Sequence, residues 1–443
     1  MLRLTEKERR SGMASSGKKK KNTTFQQLWK TFVGEGRNSD LSLSFFAYVM
    51  ILLVVGIVMM SSASYAWAYS EHDGDGLFYA KNQAKNAVIG FAALLFFMKM
   101  DYHNLKNIKL PVLKKFNIAG LLYVLGALLL VVVLFIGSDE GGTMGAKRWL
   151  SLGASLSFQP SEVAKLAIII FFAYSMERDG KKMNDFRVGI VKYALLMGVY
   201  AFLLFLEPHL SGIILVATIS VAMILCGGAN RKQFLILGAS VLAIAVIIIV
   251  VQANTPGSYV AVRIKSWQNP FADVLNDTWQ TANSIIAIGS GGLFGLGLGN
   301  SRQKYLYLPE TKNDFVFPIV CEELGFVGAL AIILVFFLLV IEGFSIAVRC
   351  KDRFGMLIAV GITTQIGIQT ILNLAVVSNL IPNTGISLPF FSYGGTALIM
   401  QLAEMGIMLN ISQQRYYPDE HKTKKKKSSS RTKKTHGSGK TPA

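Results

Sequence analysis

The stretch YLPETKNDFVFPIVCEELG, residues 307–325, places ionisable side chains at the edge of an apolar block. Glu310 and Asp314 precede the block, whereas Glu322 and Glu323 lie a few positions inside it. A charged group is costly near hydrocarbon, so its presence there predicts a function. Partial desolvation raises the pKa of a carboxylate, which makes the group a better proton acceptor. These acids therefore need either a structural or a chemical reason for their position.

Two interpretations of Asp314 are open at this point. In the first, Asn313 or Asp314 caps a helix that begins near Phe315, since Asn and Asp are preferred at helix N-termini. In the second, Asp314 is a general base held at the boundary between water and lipid. The two interpretations differ in whether the side chain bonds to the helix backbone or faces a site.

Basic residues mark a second cluster, in GAKRWLSLGASLSFQPSEVAK at residues 145–165. Pro160 favours a helix start at this position. Glu162 and Lys165 are three residues apart, so they share one helix face and can form an ion pair that fixes helix packing. The alternative is a cationic site for a phosphate-bearing substrate, formed by Arg148 and Lys165.

Polar residues also interrupt the last two apolar blocks. NTGISLPFFSYGGTAL, residues 383–398, combines glycines, Pro389 and a Ser-Tyr pair, which predicts a re-entrant or tightly turned segment covered by protein or water. Gln365, Gln369 and Asn373 follow one another at a spacing of four, on one helix face. Such a stripe either forms interhelical hydrogen bonds or lines a polar cavity.

The elements that must position these residues are membrane helices. The chain has 443 residues, of which 52% are hydrophobic and 16% charged, and its mean hydropathy is +0.44. The apolar residues form blocks of about 20 residues, the length that crosses a bilayer. Cys226, Cys321 and Cys350 lack the spacing of a disulfide or metal site. We therefore predict an all-α polytopic membrane protein.

We predict ten transmembrane helices, with the basic connections on one side of the membrane. Lys and Arg concentrate at 101–116, 177–187, 228–232 and 349–353, which the positive-inside rule assigns to the cytoplasm together with both termini. The connection 252–315, between spans seven and eight, is then a large extracytoplasmic loop. The predicted spans are 44–62, 84–100, 117–137, 160–176, 188–206, 209–227, 232–251, 316–345, 354–380 and 394–412.

The segments outside the spans differ in composition. Residues 285–299 contain six glycines among apolar residues, which predicts a segment folded against the membrane face. The tail 1–43 carries ten basic and four acidic residues, and the tail 413–443 carries ten and two. We expect both tails to be disordered cytoplasmic segments near anionic lipid, flanking one membrane domain at 44–412. Their Lys runs lack interleaved aromatic residues, so they do not predict nucleic-acid binding.

The residues alone leave two classes of function open. An enzyme that acts on a lipid-linked substrate would use acids and bases at the outer face, and a transporter would use polar groups along a central path. The sequence contains no nucleotide-binding loop, His metal cluster or Ser-His-Asp order. The most charged site lies at one face of the predicted bundle, which favours the enzyme.

Three motifs carry a resemblance to a known family: GAKRWLSLG…FQPSEVAKL, AIGSGGLFGLGLGNSRQKYLYLPETKNDFVFPIVCEELG and NTGISLPFFSYGG. Together they resemble the SEDS family (shape, elongation, division and sporulation) over residues 42–412, and the chain looks more FtsW-like than RodA-like. The resemblance implies a peptidoglycan glycosyltransferase that polymerises lipid II into β-1,4 glycan at the outer face of the bacterial plasma membrane, at the division septum. The alternatives are a lipid II flippase and an elongation- or sporulation-type polymerase.

The resemblance also implies roles and partners. The family's essential aspartate corresponds to Asp314, which would act as the general base. The expected partners are a class B penicillin-binding protein with transpeptidase activity, other division proteins and membrane lipids, with a divalent cation, Mg²⁺ or Mn²⁺, on the pyrophosphate and no organic cofactor. The candidate substrate-binding residues are Lys147, Arg148, Trp149, Glu162, Lys165, Gln280, Glu310, Lys312 and Ser392.

Five positions depart from the family pattern. Lys312 and Asn313 stand where His or Gln and then Thr are usual, and Pro318 replaces a small residue. His209 and Ser211, in EPHLSG, stand where Asp and Gly are common. The departures bear on the orientation of the base and on the role of the sixth span.

Overall fold

The computed structural model describes residues 41–108, 116–138, 148–151, 157–236, 238, 259–274 and 278–414. Most of both basic tails, and most of the predicted seventh span, lie outside these residues. The described part is mostly helical. In chain order its helices are α1 Leu43–Glu71, α2 Phe78–Lys99, α3 Ile118–Ile136, α4 Pro160–Asp179, α5 Lys192–Leu206, α6 Leu210–Cys226, α7 Tyr259–Gln268, α8 Trp279–Ser290, α9 Val316–Val348, α10 Arg353–Val377 and α11 Gly395–Gln413.

The helices coincide with the predicted spans wherever those spans are described. Helix α4 begins at Pro160, whose fixed φ suits the first helical turn. Helix α1 runs past its predicted end at residue 62 to Glu71, because the small residues Ala63, Ser64, Ala66 and Ala68 continue its buried face. The predicted loop 252–315 contains α7 and α8 and is therefore partly structured, as expected for a connection of this length.

The apolar character of the helices makes the chain an all-α polytopic membrane protein. Within the described residues, α1, α3, the segment Arg187–Leu206, α9 and α10 are long and apolar enough to cross a membrane, and α6 is a shorter apolar helix. Large apolar side chains such as Phe135 and Phe205 are exposed on the outside of the bundle, where hydrocarbon would contact them. The span count of ten and the orientation of the chain stay predictions.

Helix α10 forms the centre of the bundle. It packs against α4, α6 and α9, and most of its apolar surface is buried. Helices α2 and α11 pack along each other beside it. Two-residue strands occur outside the bundle: β1 Asn107–Ile108 pairs antiparallel with β2 Phe116–Asn117, and β3 Leu150–Ser151 with β4 Ser157–Phe158.

A glycine-rich turn at residues 291–299 docks onto a break in α9. At Gly325 the backbone leaves the helical conformation, with φ of 68° and ψ of −172°. The turn supplies hydrogen bonds across the break, from Leu296 N to Glu322 O (2.9 Å) and from Phe326 N to the Gly292 carbonyl (2.9 Å). The glycine-rich segment therefore packs against α9 and is not a solvated linker. Its position against the membrane face stays a prediction.

We expect Gly325→Ala to destabilise the protein strongly. A Cβ at this position would lie 2.2 Å from the Gly295 nitrogen, and the positive φ alone costs roughly 1–3 kcal/mol. The measurement is the melting temperature of the purified protein in detergent. Gly289→Ala is the matched control, because a Cβ there meets nothing within 4 Å and the residue lies in α8. Equal melting temperatures for the two variants would contradict the close approach.

Candidate active site

Polar side chains from separate stretches of the sequence line one cavity of about 540 Å³. Such a volume suits a small-molecule ligand. The wall is built from the segment before α4, the first turns of α4, the start of α6, the loop before α9, the segment between α10 and α11, and parts of α2, α10 and α11. Eight of the ten candidate residues lie on it: Arg148, Trp149, Glu162, Lys165, Glu310, Lys312, Asp314 and Ser392.

Asp314 lies on the cavity wall, half-buried, two residues before α9. Helix α9 begins after Phe315 without a side-chain cap, so the capping interpretation is wrong. The Asp314 carbonyl accepts a hydrogen bond from Asn373 Nδ2 at 2.8 Å, which anchors the loop to α10. A Cβ placed on Gly385 would lie 3.3 Å from Asp314 Oδ2, so the carboxylate rests against a backbone that carries no side chain.

Glu310 organises the loop that carries Asp314. Its backbone carbonyl accepts hydrogen bonds from the amides of Asn313 (3.0 Å) and Phe315 (3.2 Å), and its carboxylate accepts one from Asn313 Nδ2 (2.6 Å). Burial raises the pKa of the Glu310 carboxyl, while the Asn313 hydrogen bond and the charge of Lys312 oppose this shift. The predicted cap residue Asn313 is therefore used inside the loop rather than at the helix.

Lys312 lines the cavity, but its ammonium group is bound within the protein. Its Nζ lies 3.0 Å from Glu71 Oε2 and donates to the Tyr79 hydroxyl at 2.8 Å. The Tyr79 hydroxyl in turn donates to Glu71, and the ammonium lies over the rings of Tyr79 and Trp67. The backbone carbonyl of Lys312 accepts from the amide of Tyr393 at 2.7 Å. Lys312 thus ties the loop before α9 to α1 and α2.

Lys165 and Arg148, the two cations of the segment 145–165 that the structure describes, have different partners from each other. Lys165 Nζ lies 2.8 Å from Glu162 Oε1, and both side chains are buried, with 4% and 7% of their surface exposed. This is the predicted ion pair, and both members also line the cavity. Arg148 donates to the backbone carbonyls of Glu207 and Pro208 in the turn between α5 and α6. The predicted cationic pair, Arg148 and Lys165, therefore lies on one cavity wall.

The candidate residues also include Lys147, Gln280 and Ser392. Lys147 lies outside the described residues. Gln280, in α8, is absent from the cavity wall; its Oε1 accepts from Asn383 Nδ2 at 2.9 Å, two residues before Gly385. Ser392 Oγ accepts from the Leu388 amide at 2.7 Å, which stabilises the turn before α11.

The acids inside α9 hold the fold and are absent from the cavity wall. Glu323 pairs with Lys304 at 2.9 Å, and both side chains are almost completely buried. Glu322 accepts from the Arg302 amide (2.9 Å) and from the Ser301 hydroxyl. These contacts fix the chain that follows the glycine-rich turn. Two of the four acids that drew attention in the sequence therefore stabilise the loop that precedes Asp314.

The segment between α10 and α11 is irregular, tightly turned and partly buried. Its re-entrant course in the membrane stays a prediction. The polar stripe of α10 satisfies its backbone: Gln369 Nε2 donates to the Ser387 carbonyl (3.0 Å), and Asn373 Nδ2 donates to the Ile386 carbonyl (2.6 Å). Gln365 Nε2 donates instead to the carboxyl oxygens of Glu404 in α11, at 3.0 and 3.1 Å. Both interpretations of the stripe hold, since Gln369 also lines the cavity.

Ser161, His209, Gln369 and Ser387 line the cavity but were absent from the candidate catalytic and substrate-binding residues. Gln369 was predicted only as part of a polar stripe that could line a cavity. His209 carried a signal, because it is a histidine at the edge of an apolar block and departs from the family pattern. Ser161 and Ser387 carry no pattern that separates them from ordinary helix-start and loop serines.

Comparison with known proteins settles the family. The family model described as a cell cycle protein, which covers FtsW, RodA and SpoVE, matches residues 42–417. The chain belongs to this family. It is thereby a SEDS protein, as the three motifs predict.

Relatives and solved structures agree with this assignment. The chain is 40% identical to stage V sporulation protein E of Bacillus subtilis, over 83% of this chain and 96% of that protein. It is 35% identical to a probable peptidoglycan glycosyltransferase FtsW of a Geobacter species, over 82% and 94%. A chain of a peptidoglycan synthase complex matches with a TM-score of 0.69 at 26% identity, over 85% and 99%. RodA of Thermus thermophilus matches with a TM-score of 0.59 at 26% identity, over 85% and 98%.

In this SEDS protein, the Asp314 carboxylate and the cations Arg148 and Lys165 line the same cavity. A carboxylate can accept a proton from a hydroxyl nucleophile, and cations can stabilise an anionic leaving group. Lys165 reaches the cavity as a member of its buried ion pair with Glu162. The arrangement suits transfer of a group away from a phosphate.

Glu310→Gln should stabilise the protein at neutral pH and have little effect in acid. Because the folded chain binds the Glu310 proton more tightly than the unfolded chain, the native protein loses stability as pH rises from 4.5 through the raised pKa. The amide keeps the bond to Asn313 and does not titrate. Melting temperatures measured from about pH 4 to pH 8 should diverge with rising pH. Parallel curves would contradict the proposed burial of the carboxyl.

The Lys312–Glu71 pair should show coupling in a double-mutant cycle. We expect Lys312→Gln and Glu71→Gln each to lower the melting temperature, and the double variant to lose little more than either, with a coupling of about 0.5–1 kcal/mol. Lys81 and Asp75, 2.9 Å apart and 60% and 42% exposed, provide the control cycle, with coupling near zero. Additive effects at Lys312 and Glu71 would show that the pair does not anchor the loop.

Proposed function

We propose that the chain is a peptidoglycan glycosyltransferase that polymerises lipid II into β-1,4 glycan strands at the outer face of the plasma membrane. The observation that carries the proposal is the position of Asp314 on one cavity wall with Arg148 and Lys165. Relatives that cover nearly the same length are named as probable peptidoglycan glycosyltransferases. A structural relative belongs to a complex that couples polymerization and crosslinking.

The reaction needs a base, because a sugar hydroxyl is a poor nucleophile. Asp314 accepts the proton of the acceptor 4-hydroxyl while that oxygen attacks the anomeric carbon of the donor. The bond between the anomeric carbon and the pyrophosphate oxygen breaks, and the electron pair leaves with the undecaprenyl pyrophosphate. A single displacement of this kind inverts an α-linked donor to a β-linked product. A departing pyrophosphate needs less protonation than a sugar, so one carboxylate suffices where glycosidases use two.

The negative charge that develops on the pyrophosphate needs cations. Arg148 and Lys165 line the cavity and serve this role; Arg148 is held by the Glu207 and Pro208 carbonyls and Lys165 by Glu162, which fixes both cations at the wall. The ammonium of Lys312 instead bridges Glu71 of α1 and Tyr79 of α2. Lys312 therefore acts in this proposal by holding the loop of Asp314 in place. The glycine-rich turn and the Lys304–Glu323 pair hold that loop from its other end.

A divalent cation, Mg²⁺ or Mn²⁺, would add positive charge at the pyrophosphate. Among the described residues, no group of three or more His, Cys, Asp or Glu side chains is arranged to hold a metal ion. The protein wall is therefore a poor fit for a resident metal. In this proposal such an ion would enter bound to the pyrophosphate of the substrate.

The proposed partner is a class B penicillin-binding protein that crosslinks the new glycan. The support is the structural match, over 99% of its length, to a chain of a peptidoglycan synthase complex. We propose a role in division at the septum, together with other division proteins, since many relatives are named FtsW. A sporulation role is the second candidate, favoured by the 40% identity to stage V sporulation protein E.

Asp314→Asn should abolish glycan synthesis while leaving the fold intact. The substitution removes the proton acceptor but keeps the size of the side chain and its backbone bond to Asn373. The assay incubates the purified full-length protein and its transpeptidase partner with labelled lipid II in detergent and separates glycan by length. Loss should reach about 10²-fold or more, the usual contribution of a general base.

Asp273→Asn is the matched control, because Asp273 is an exposed aspartate of the same predicted outer loop and lies off the cavity wall. It should retain full synthesis. A lipid II flippase would make no glycan in detergent, since transport needs a sealed compartment, so the assay also separates the two classes of function. Glycan made at the native rate by Asp314→Asn protein would overturn the proposed role of the carboxylate.

A further inference from the structure

Five buried polar atoms on the cavity wall have no hydrogen-bond partner among the residues that the structure describes. Two of them, His72 Nε2 and Asn82 Nδ2, belong to partly exposed residues. The other three are Ser161 Oγ, His209 Nδ1 and Gln369 Oε1, whose residues are 3%, 9% and 1% exposed. They come from the first turn of α4, the residue before α6 and the middle of α10. Buried polar groups are normally paired, and an unpaired one costs free energy. Their position on the wall indicates that a ligand supplies the missing partners.

Neighbouring groups define what each atom can do. Gln369 Nε2 donates to the Ser387 carbonyl at 3.0 Å, and a carbonyl can only accept. The free end of the Gln369 amide is therefore its oxygen, a pure acceptor. His209 lies in the field of Arg148 and Lys165, and both burial and these charges favour a neutral imidazole. Ser161 precedes Glu162, whose carboxylate is engaged by Lys165 at 2.8 Å.

The three atoms form an uncharged set beside the cations. A serine hydroxyl and a neutral imidazole nitrogen can each donate, and the Gln369 oxygen accepts. An acceptor oxygen would repel a phosphate, so this set does not extend the anion site. It complements a secondary amide, whose N–H donates to the Gln369 oxygen and whose carbonyl accepts from Ser161 or His209.

We propose that Ser161, His209 and Gln369 form a subsite for the 2-acetamido group of the donor sugar. The inference rests on the proposed glycosyltransferase function. In an N-acetylated sugar the acetamido carbon is next to the anomeric carbon that carries the pyrophosphate. A donor whose pyrophosphate meets Arg148 and Lys165 must therefore place its acetamido group close to those cations. The subsite would select N-acetylated donors, and it would orient the anomeric carbon toward the base.

The test measures binding rather than turnover. Full-length Asp314→Asn protein in nanodiscs is titrated with lipid II and with a matched lipid whose acetamido group beside the pyrophosphate is replaced by a hydroxyl. The Asp314→Asn protein should bind the acetamido lipid about fivefold to tenfold more tightly than the hydroxyl lipid, the affinity difference that one or two net hydrogen bonds give. Adding Ser161→Ala or His209→Ala should reduce the preference to about twofold or less, with the affinity for the hydroxyl lipid unchanged.

Ser220→Ala is the control, because Ser220 Oγ is also buried and unpartnered but lies in α6 away from the cavity wall. It should leave the preference intact. Melting temperatures check folding, and removal of an unpaired buried hydroxyl should not lower them. Equal loss of affinity for both lipids, or unchanged preference because water fills the site, would overturn the inference. Glycan synthesis by the native protein is scored separately, so failure of the subsite is distinguishable from failure of the proposed function.

Discussion

Every backbone and charged group that this chain places among its membrane helices must find a partner within the protein, because hydrocarbon offers none. The break in α9 at Gly325 shows the consequence. The glycine-rich turn before α9 supplies hydrogen bonds to the backbone on both sides of the break. The irregular segment before α11 depends in the same way on amide side chains of α10. Non-helical backbone is thus tolerated at both places because protein covers it.

This constraint also separates structural charges from those available for chemistry. The carboxylates of Glu322 and Glu323 are bound by Lys304 and by a backbone amide in the loop between the glycine-rich turn and α9. The ammonium group of Lys312 is bound by Glu71 and Tyr79. Asp314 and Arg148, by contrast, lie on the cavity wall. The Asp314 carbonyl is held by Asn373, and the Arg148 guanidinium is held by the carbonyls of Glu207 and Pro208, so both groups are fixed where a substrate would meet them.

The departures from the family pattern have physical counterparts in the structure. Lys312 pairs with Glu71 at the end of α1. The positive charge of Lys312, close to Asp314 in the loop before α9, is therefore balanced within the protein. His209 places its imidazole ring on the cavity wall, near Arg148 and Lys165. This residue adds no negative charge beside the two cations. This chain therefore keeps a cationic cavity wall while changing the polar groups beside it.

The sequence by itself determined the helices and the clusters that carry charge. Apolar blocks as long as a bilayer is thick can hardly form anything else, so predicted spans such as 117–137 and 354–380 match α3 and α10 within about three residues. The spacing of Glu162 and Lys165 fixed their ion pair, since residues three apart share a helix face. Tertiary structure decided which polar groups converge. Whether Asp314 caps α9 or faces a cavity, and whether Lys312 meets substrate or Glu71, depends on residues that lie far away along the chain and close in space. Such contacts arise from helix packing, and no local periodicity encodes them.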